Sequence, residues 1–341
     1  MIYDDKIKEL IVKEFFETKI IKKNDNLIVA LSGGMDSMCL MDIFLKLQSE
    51  FRYNLYAVHV NHGIRGIEAD RDQKFVAKYC KDVGIKLFIE QVDAVAFSKN
   101  NGLSLEEAAR ILRYKVFNEV HAVLNKSYIL VAHHEKDLVE TIIHNMVRGT
   151  GIKGLIGIKK VQDYILRPLL YISKDAIIQY VKDNLVPYVD DSTNFDKSIT
   201  RNYIREEIVD KLPNINEKSY KHIIELSRQI EEVNDYLNAV CEYTFKFVIK
   251  NQSSSYIIVD NIKFNTLNNL IKEYVIRNIF YNLIQSLKDI SSVHINDIIV
   301  MSSKEKGGHL DLPYNITLDK KKTELIFKKN NVNISMSRRK K

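Results

Sequence analysis

Ser32-Gly33-Gly34-Met35-Asp36-Ser37 stands between an apolar run of strand length, Leu27–Leu31, and a segment apolar at helical spacing, Met38–Leu47. The hexapeptide therefore occupies a strand-to-helix turn. There, free backbone N–H groups and the positive end of the helix dipole make a cradle for an anion. Gly33 and Gly34 let the backbone approach a phosphate closely, and Ser32 and Ser37 add hydroxyl donors. Asp36 is repelled by phosphate, so its expected task is to hold a Mg²⁺ ion that bridges carboxylate and phosphate. No Lys follows the glycines, which excludes the Gly-x4-Gly-Lys-Ser/Thr phosphate loop.

The 341 residues, 45% of them apolar, suffice for one full α/β core and a smaller second one. No run is long enough to span a bilayer, and the start, MIYDDKIKEL, lacks the apolar stretch of a signal peptide, so the expected location is the cytoplasm, with no membrane partner. Cys39, Cys80 and Cys241 lie far apart, which argues against a zinc ribbon, an iron–sulfur cluster or a disulfide framework. The net charge of +7 is localised. Residues 301–341 hold 11 Lys/Arg against 4 Asp/Glu, and the first 300 residues are neutral. A neutral body with a basic end predicts a polyanion held by the C-terminal part, through Lys320, Lys321 and Lys322, with residues 331–341 as a basic tail. An AT-biased coding sequence rich in Lys, Ile and Asn accounts for the same composition.

Beyond the loop, strand and helix patterns alternate as in a parallel twisted sheet with helices on both faces. Leu55–Val60 reads as a second strand ending in His59-Val60-Asn61-His62-Gly63, Leu87–Ile89 as a third, and Tyr128–Ala132 as a fourth, followed by His133-His134. A helix from about Glu68 places Phe75, Val76, Tyr79, Cys80 and Val83 on one face, and Ser104-Leu105-Glu106-Glu107 is a capping box opening another. In open α/β sheets ligands bind beyond the carboxyl ends of strands, where these polar residues cluster. On the helix after Ser104, Arg110 and Arg113 share a face, a cationic pair for phosphate unless Glu106 simply pairs with Arg110. Asp137 and Glu140 also share a face, a carboxylate pair suited to Mg²⁺ or an amine. Residues 217–249 carry apolar positions at helical spacing, a long connecting helix. Helices over Lys272–Leu287 and His294–Met301, with short strands at Leu310–Leu312, Ile316–Leu318 and Glu324–Phe327, make a small α+β domain.

The SGGxDS loop, HVNHG, EEAARILRY, AHHExD-x-x-ET, RGTGIKGLIG, Arg167-Pro168-Leu169-Leu170, and Asp190-Asp191-Ser192-Thr193-Asn194 with Arg201-Asn202-Tyr203-Ile204-Arg205 together resemble tRNA(Ile)-lysidine synthetase, over roughly residues 24–215 and again, weakly, at Gly308–Pro313. SGGxDS alone specifies the ATP-pyrophosphatase superfamily, with its adenine nucleotide alpha hydrolase-like fold. The resemblance implies use of ATP and Mg²⁺ to activate the wobble cytidine of a CAU-anticodon isoleucine tRNA and join it to free L-lysine, releasing AMP and pyrophosphate. It implies an ATP/pyrophosphate site of Ser32, Gly33, Gly34, Met35, Asp36, Ser37 and His59. Asp36, Arg113, Asp137 and Glu140 would be catalytic, and Asp137 and Glu140 would meet lysine, with His133 at the activated base. Arg201 and Arg205 would contact tRNA. The expected organisation is a catalytic domain over 1–215, a connecting helix over 216–249 and a tRNA-positioning domain over 250–330; a homodimer is left open. The chain departs from the family at Lys136 and Leu138, where a second acidic residue and a glutamine are usual, and the further C-terminal domain of longer members is expected to be absent. A tRNA thiolase of the same superfamily and a non-catalytic tRNA-binding homologue are the alternatives.

Overall fold

The computed structural model describes residues 2–189, 200–286 and 290–330, the side chains of 2–5, 200 and 201 excepted. The expectations for Asp190–Asn194, the Arg201 side chain, Leu287 and the basic tail 331–341 fall outside the described residues. The chain divides into two compact units, Met1–Ile230 and Glu231–Lys341.

The first unit is built on six strands, β1 Asn26–Ala30, β2 Asn54–Asn61, β3 Lys86–Gln91, β4 Ser127–Leu130, β5 Val161–Gln162 and β6 Ile165–Leu166, in the order β3-β2-β1-β4-β6-β5. All neighbours run parallel except the β5–β6 edge. The continuous apolar sequence of β1 follows from burial on both faces. Leu27 and Val29 pack toward α1 (Ile2–Ile11), α2 (Met35–Phe51), α3 (Ile67–Asp82) and, later in the chain, Lys174–Asp183. Ile28, between them, packs on the other face with Val116, Phe117 and Val120. These three belong to α5 (Leu105–Val123), which follows the short α4 (Ala94–Asn101). The Ser104 hydroxyl accepts from Glu107 N–H at 3.2 Å, so the capping signal marks the start of α5.

After β4 come α6 (Glu135–Arg148), α7 (Ile152–Leu155), α8 (Lys174–Asp183), the short α9 (Thr200–Tyr203) and α10 (Leu212–Ile215), and the 30-residue α11 (Ser219–Val248). The chain winds from β1 outward to β3 and returns to the other side of β1 as β4. The loops leaving β1 and β4 therefore diverge at a topological switch point, which opens a crevice at the carboxyl ends of the strands.

The second unit carries an antiparallel sheet in the order β7-β8-β11-β10-β9, formed by β7 Ile249–Gln252, β8 Tyr256–Asp260, β9 Gly308–Leu312, β10 Ile316–Lys320 and β11 Glu324–Lys329. With α12 (Asn261–Asn265), α13 (Asn269–Ile284) and α14 (Ser292–Ser303) it buries a core that includes Phe264, Ile279, Phe280, Leu318 and Phe327.

Candidate active site

The loop leaving β1 is shaped by Gly33, whose φ of +94° disfavours a side chain, and a Cβ there would stand 3.1 Å from Val189 and 3.3 Å from Val76. Its carbonyl accepts from Val189 N–H at 3.0 Å. Gly34 is the N-cap of α2, so the free N–H groups of the first helical turn face the crevice. The serines hold the loop to itself: Ser37 Oγ donates to Gly34 O at 2.9 Å, accepts from Ser32 N–H at 3.2 Å and lies 3.0 Å from Ser32 Oγ. The cradle is thus pre-formed by the chain.

Asp36, in the first turn of α2, pairs with the ammonium of Lys174, and its other oxygen lies 3.7 Å from His134 Nε2. Lys174 arrives by way of α8, whose N-cap Ser173 accepts from Ala176 N–H at 3.1 Å. Among the described residues no three His, Cys, Asp or Glu side chains are grouped to hold a metal ion. A single carboxylate fits a Mg²⁺ that takes its other ligands from phosphates and water, the usual state of this ion at nucleotide sites.

His134 is the N-cap of α6, and its N–H donates to Asp137 Oδ2 at 3.0 Å. Its Nδ1 lies 3.6 Å from the same carboxylate, and burial holds the imidazole below its usual pKa. Burial pushes the Asp137 carboxyl up, but His134, His133, the His134 N–H and Arg205 outweigh it and keep it below the ordinary aspartate value. Glu140, one turn on and fully buried, accepts from Arg205 Nε at 2.6 Å, and Arg205 Nη2 lies 3.8 Å from Asp137 Oδ1. Contacts therefore run without a break from Asp36 through His134 and Asp137 to Arg205 and Glu140.

Around this chain stand the cationic groups of α5. Arg113 Nε approaches His62 Nε2 at 3.5 Å, and Arg110 lies 5.6 Å from the centre of the Tyr114 ring. Burial and Arg113 lower the His62 pKa to about 4. His59 is buried, its Nδ1 2.8 Å from the Leu31 carbonyl, and desolvation lowers its pKa. His133 accepts at Nδ1 from Arg167 Nε at 3.2 Å.

Arg205, expected at the tRNA, stands with its guanidinium on Glu140 and Asp137, as a fully buried glutamate demands a counter-charge. Lys320, expected in a phosphate-binding trio, faces the core: alternation along β10 turns it inward with Ile316 and Leu318, and its ammonium donates to the Lys304 carbonyl. Lys321 and Lys322 are exposed. The unusual residues of the His-His segment are also accounted for. Leu138 is buried with Ile142, Leu170, Ile204 and Val209, and Lys136 pairs with Asp210. Lys174 carries no functional signal in the sequence, and His134 and Arg167 stand out there only within their motifs.

A family model described as a PP-loop domain matches residues 3–212. The tRNA(Ile)-lysidine synthase of Caldanaerobacter subterraneus subsp. tengcongensis is 35% identical over 94% of this chain and 69% of its own length. That of Clostridioides difficile is 35% identical over 90% of this chain and 67% of its own. The chain thus spans about two thirds of the length of these relatives. Among solved structures, the U34-tRNA thiolase NcsA from Methanococcus maripaludis superposes with a TM-score of 0.54 at 20% identity, covering 67% of this chain and 79% of the thiolase, a likeness of fold. The PP-loop match, which brings ATP as substrate, and relatives of this identity over nine tenths of the sequence lead to one assignment: the chain belongs to the tRNA(Ile)-lysidine synthase family.

Proposed function

We propose that this protein joins free lysine to the wobble cytidine of the CAU-anticodon isoleucine tRNA, at the expense of ATP, through an adenylated cytidine. The observation that carries the reading is the pre-formed Gly33–Gly34 cradle at the switch point, with Asp36, His134, Asp137 and Glu140 linked beside it. The cytidine 2-oxo oxygen is a poor leaving group. Attack of that oxygen on the α-phosphorus converts it into an adenylate ester, and pyrophosphate departs into the cradle, where the α2 dipole and N–H groups stabilise its charge. Arg113 stands ready for charge on the phosphoryl group. Asp36 would hold Mg²⁺, which when bound offsets the negative charge of the phosphates.

Lysine's amine then attacks the activated ring carbon and AMP leaves. With a reference pKa of about 10.4, only on the order of one ε-amine in a thousand is neutral at pH 7, so a base must take its proton. Asp137, held ionised at neutral pH, is the group this site offers, and Glu140 beside it adds charge for an ammonium. The same carboxylates already face a cation in Arg205.

The thiolase alternative needs a reactive thiol. Cys39, Cys80 and Cys241 are all buried, and burial raises their pKa values, that of Cys80 to about 11. No helix among the described residues is long and apolar enough to cross a membrane. The test is incubation with ATP, Mg²⁺, radiolabelled lysine and unmodified CAU-anticodon isoleucine tRNA. Label in the wobble nucleotide with stoichiometric AMP is the expected result; ATP-dependent sulfur transfer with no lysine incorporation overturns the reading.

A further inference from the structure

Arg167 follows β6 directly, next to the end of β4 where His133 stands, and is 2% exposed. Its Nη1 donates to the Lys159 carbonyl at 2.7 Å, its Nη2 to Tyr114 Oη and Gln162 Oε1 at 3.3 Å each, and its Nε to His133 Nδ1 at 3.2 Å. All four partners are uncharged. A buried guanidinium solvated by dipoles is costly, and the site keeps it with four hydrogen bonds from the five N–H donors of the fork. The fork is therefore fixed, and with it the direction of the Nε–H.

Arginine has no acceptor, so His133 must present a lone pair at Nδ1. A neutral imidazole with its lone pair at Nδ1 carries its proton at Nε2. That second nitrogen has no partner among the described residues, and the ring is only partly buried. We infer that Arg167 is a positioning residue that locks His133 as the Nε2–H tautomer, so that His133 serves the site as a hydrogen-bond donor and never as the base that deprotonates lysine. The inference deepens the proposed ligase reading and rests on it for the identity of the reaction. It leaves the proton of the amine to the carboxylates of α6 and gives His133 the task of donating to an acceptor of the reacting base or its phosphoryl group. The groups facing the ring bear this out electrostatically: Arg167, Arg113 and Arg110 oppose its protonation and Asp137 favours it, and with burial the balance lowers its pKa to about 4.

The test reads the tautomer directly, by long-range ¹H–¹⁵N correlation of the histidine rings in the full chain, with His133 assigned by comparison with His133→Gln. The wild type is expected to show a proton on Nε2 at pH 7, and a proton on Nδ1 overturns the inference whatever the enzyme's activity. In Arg167→Met the lock is gone: mixed tautomers are expected, the acid limb of the single-turnover pH profile moves upward, and the rate falls about tenfold, the equivalent of one hydrogen bond of about 1.4 kcal/mol. Arg167→Lys, which still offers one donor, should restore the Nε2–H tautomer in part. An Arg167→Met protein with unchanged tautomer and pH profile refutes the positioning role. If Arg167→Met does not fold, the wild-type and Arg167→Lys spectra decide. A wild type with the Nε2–H ring but no lysine transfer to tRNA would sink the ligase reading and leave the tautomer lock standing.

Discussion

Replacing Arg205 by Met removes the guanidinium that stands 2.6 Å from Glu140, a carboxylate whose side chain is 0% exposed while that of Arg205 is 31% exposed. Breaking a buried ion pair by deleting one partner costs about 3–5 kcal/mol, because the remaining charge cannot return to water. Arg205 reaches solvent, and both groups have further contacts, so the lower end applies: about 3 kcal/mol. For a unit of this size each kcal/mol lowers the melting temperature by about 2–4 °C, which gives a drop of about 6–12 °C for the unit that holds Glu140. Differential scanning calorimetry measures it. Glu140→Gln in the Arg205→Met background removes the stranded charge and should recover much of the loss, so the two substitutions are strongly non-additive. If instead Arg205→Met melts like the wild type while tRNA affinity and its salt slope both fall, Arg205 is a phosphate contact and the reasoning from burial fails.

Asp36→Asn should abolish AMP formation from ATP while filter binding of tRNA survives; turnover near the wild-type level in that variant counts against the metal-holding role. Asp137→Ala and Glu140→Ala should raise the lysine concentration for half-saturation more than they slow adenylation, and a lysine titration unchanged in both speaks against amine binding. Lys321→Gln with Lys322→Gln should flatten the salt dependence of tRNA binding by about 0.7–0.9 in slope for each phosphate no longer neutralised, whereas Lys320→Met should lower stability and leave the slope alone; an unchanged slope in the double variant assigns the basic end to composition. His133 and His62 are held neutral with pKa values near 4, so their contribution to stability is complete above pH 6.5 and is lost as pH falls from 6.5 toward 4. Glu135, raised to about 6 by burial, works oppositely: its contribution is present below pH 4.5 and lost as pH rises through 6. Denaturant titrations from pH 4 to 8 that show no fall of stability on the acid side disprove the neutral, half-buried histidines.

The parts of this molecule written in its local sequence are those whose physics is local. β1 is buried on both faces and so is apolar from Leu27 to Ala30; α5 opens on a capping serine; Gly33 sits where φ is positive. Each is legible from a few neighbouring residues. The β5–β6 hairpin has no such signature, since two-residue strands give periodicity little to work on, and the ten-residue α8 announces itself only by its capping Ser173. Polar pairing is harder still. Asp36 meets Lys174 across 138 residues, Glu140 meets Arg205 across 65, and His133 meets Arg167 across 34.

What brings each pair together is the switch point, where the ends of β1, β4 and β6 converge, and periodicity contains no information about which lysine or arginine will arrive there. The sequence therefore nominates carboxylates and leaves their counter-charges unassigned: Arg205 is expected at the tRNA, and the fold sets it against a buried glutamate. The same reasoning explains Lys320, one of three successive lysines that look alike in sequence. Lys320 closes β10 on the inward face of its alternation, opposite Leu325 of β11, whereas Lys321 and Lys322 lie beyond the strand and stay exposed. Charge counted along the chain thus overstates the charge that can reach a polyanion, and the proposal that this unit holds tRNA phosphates is tested at Lys321 and Lys322.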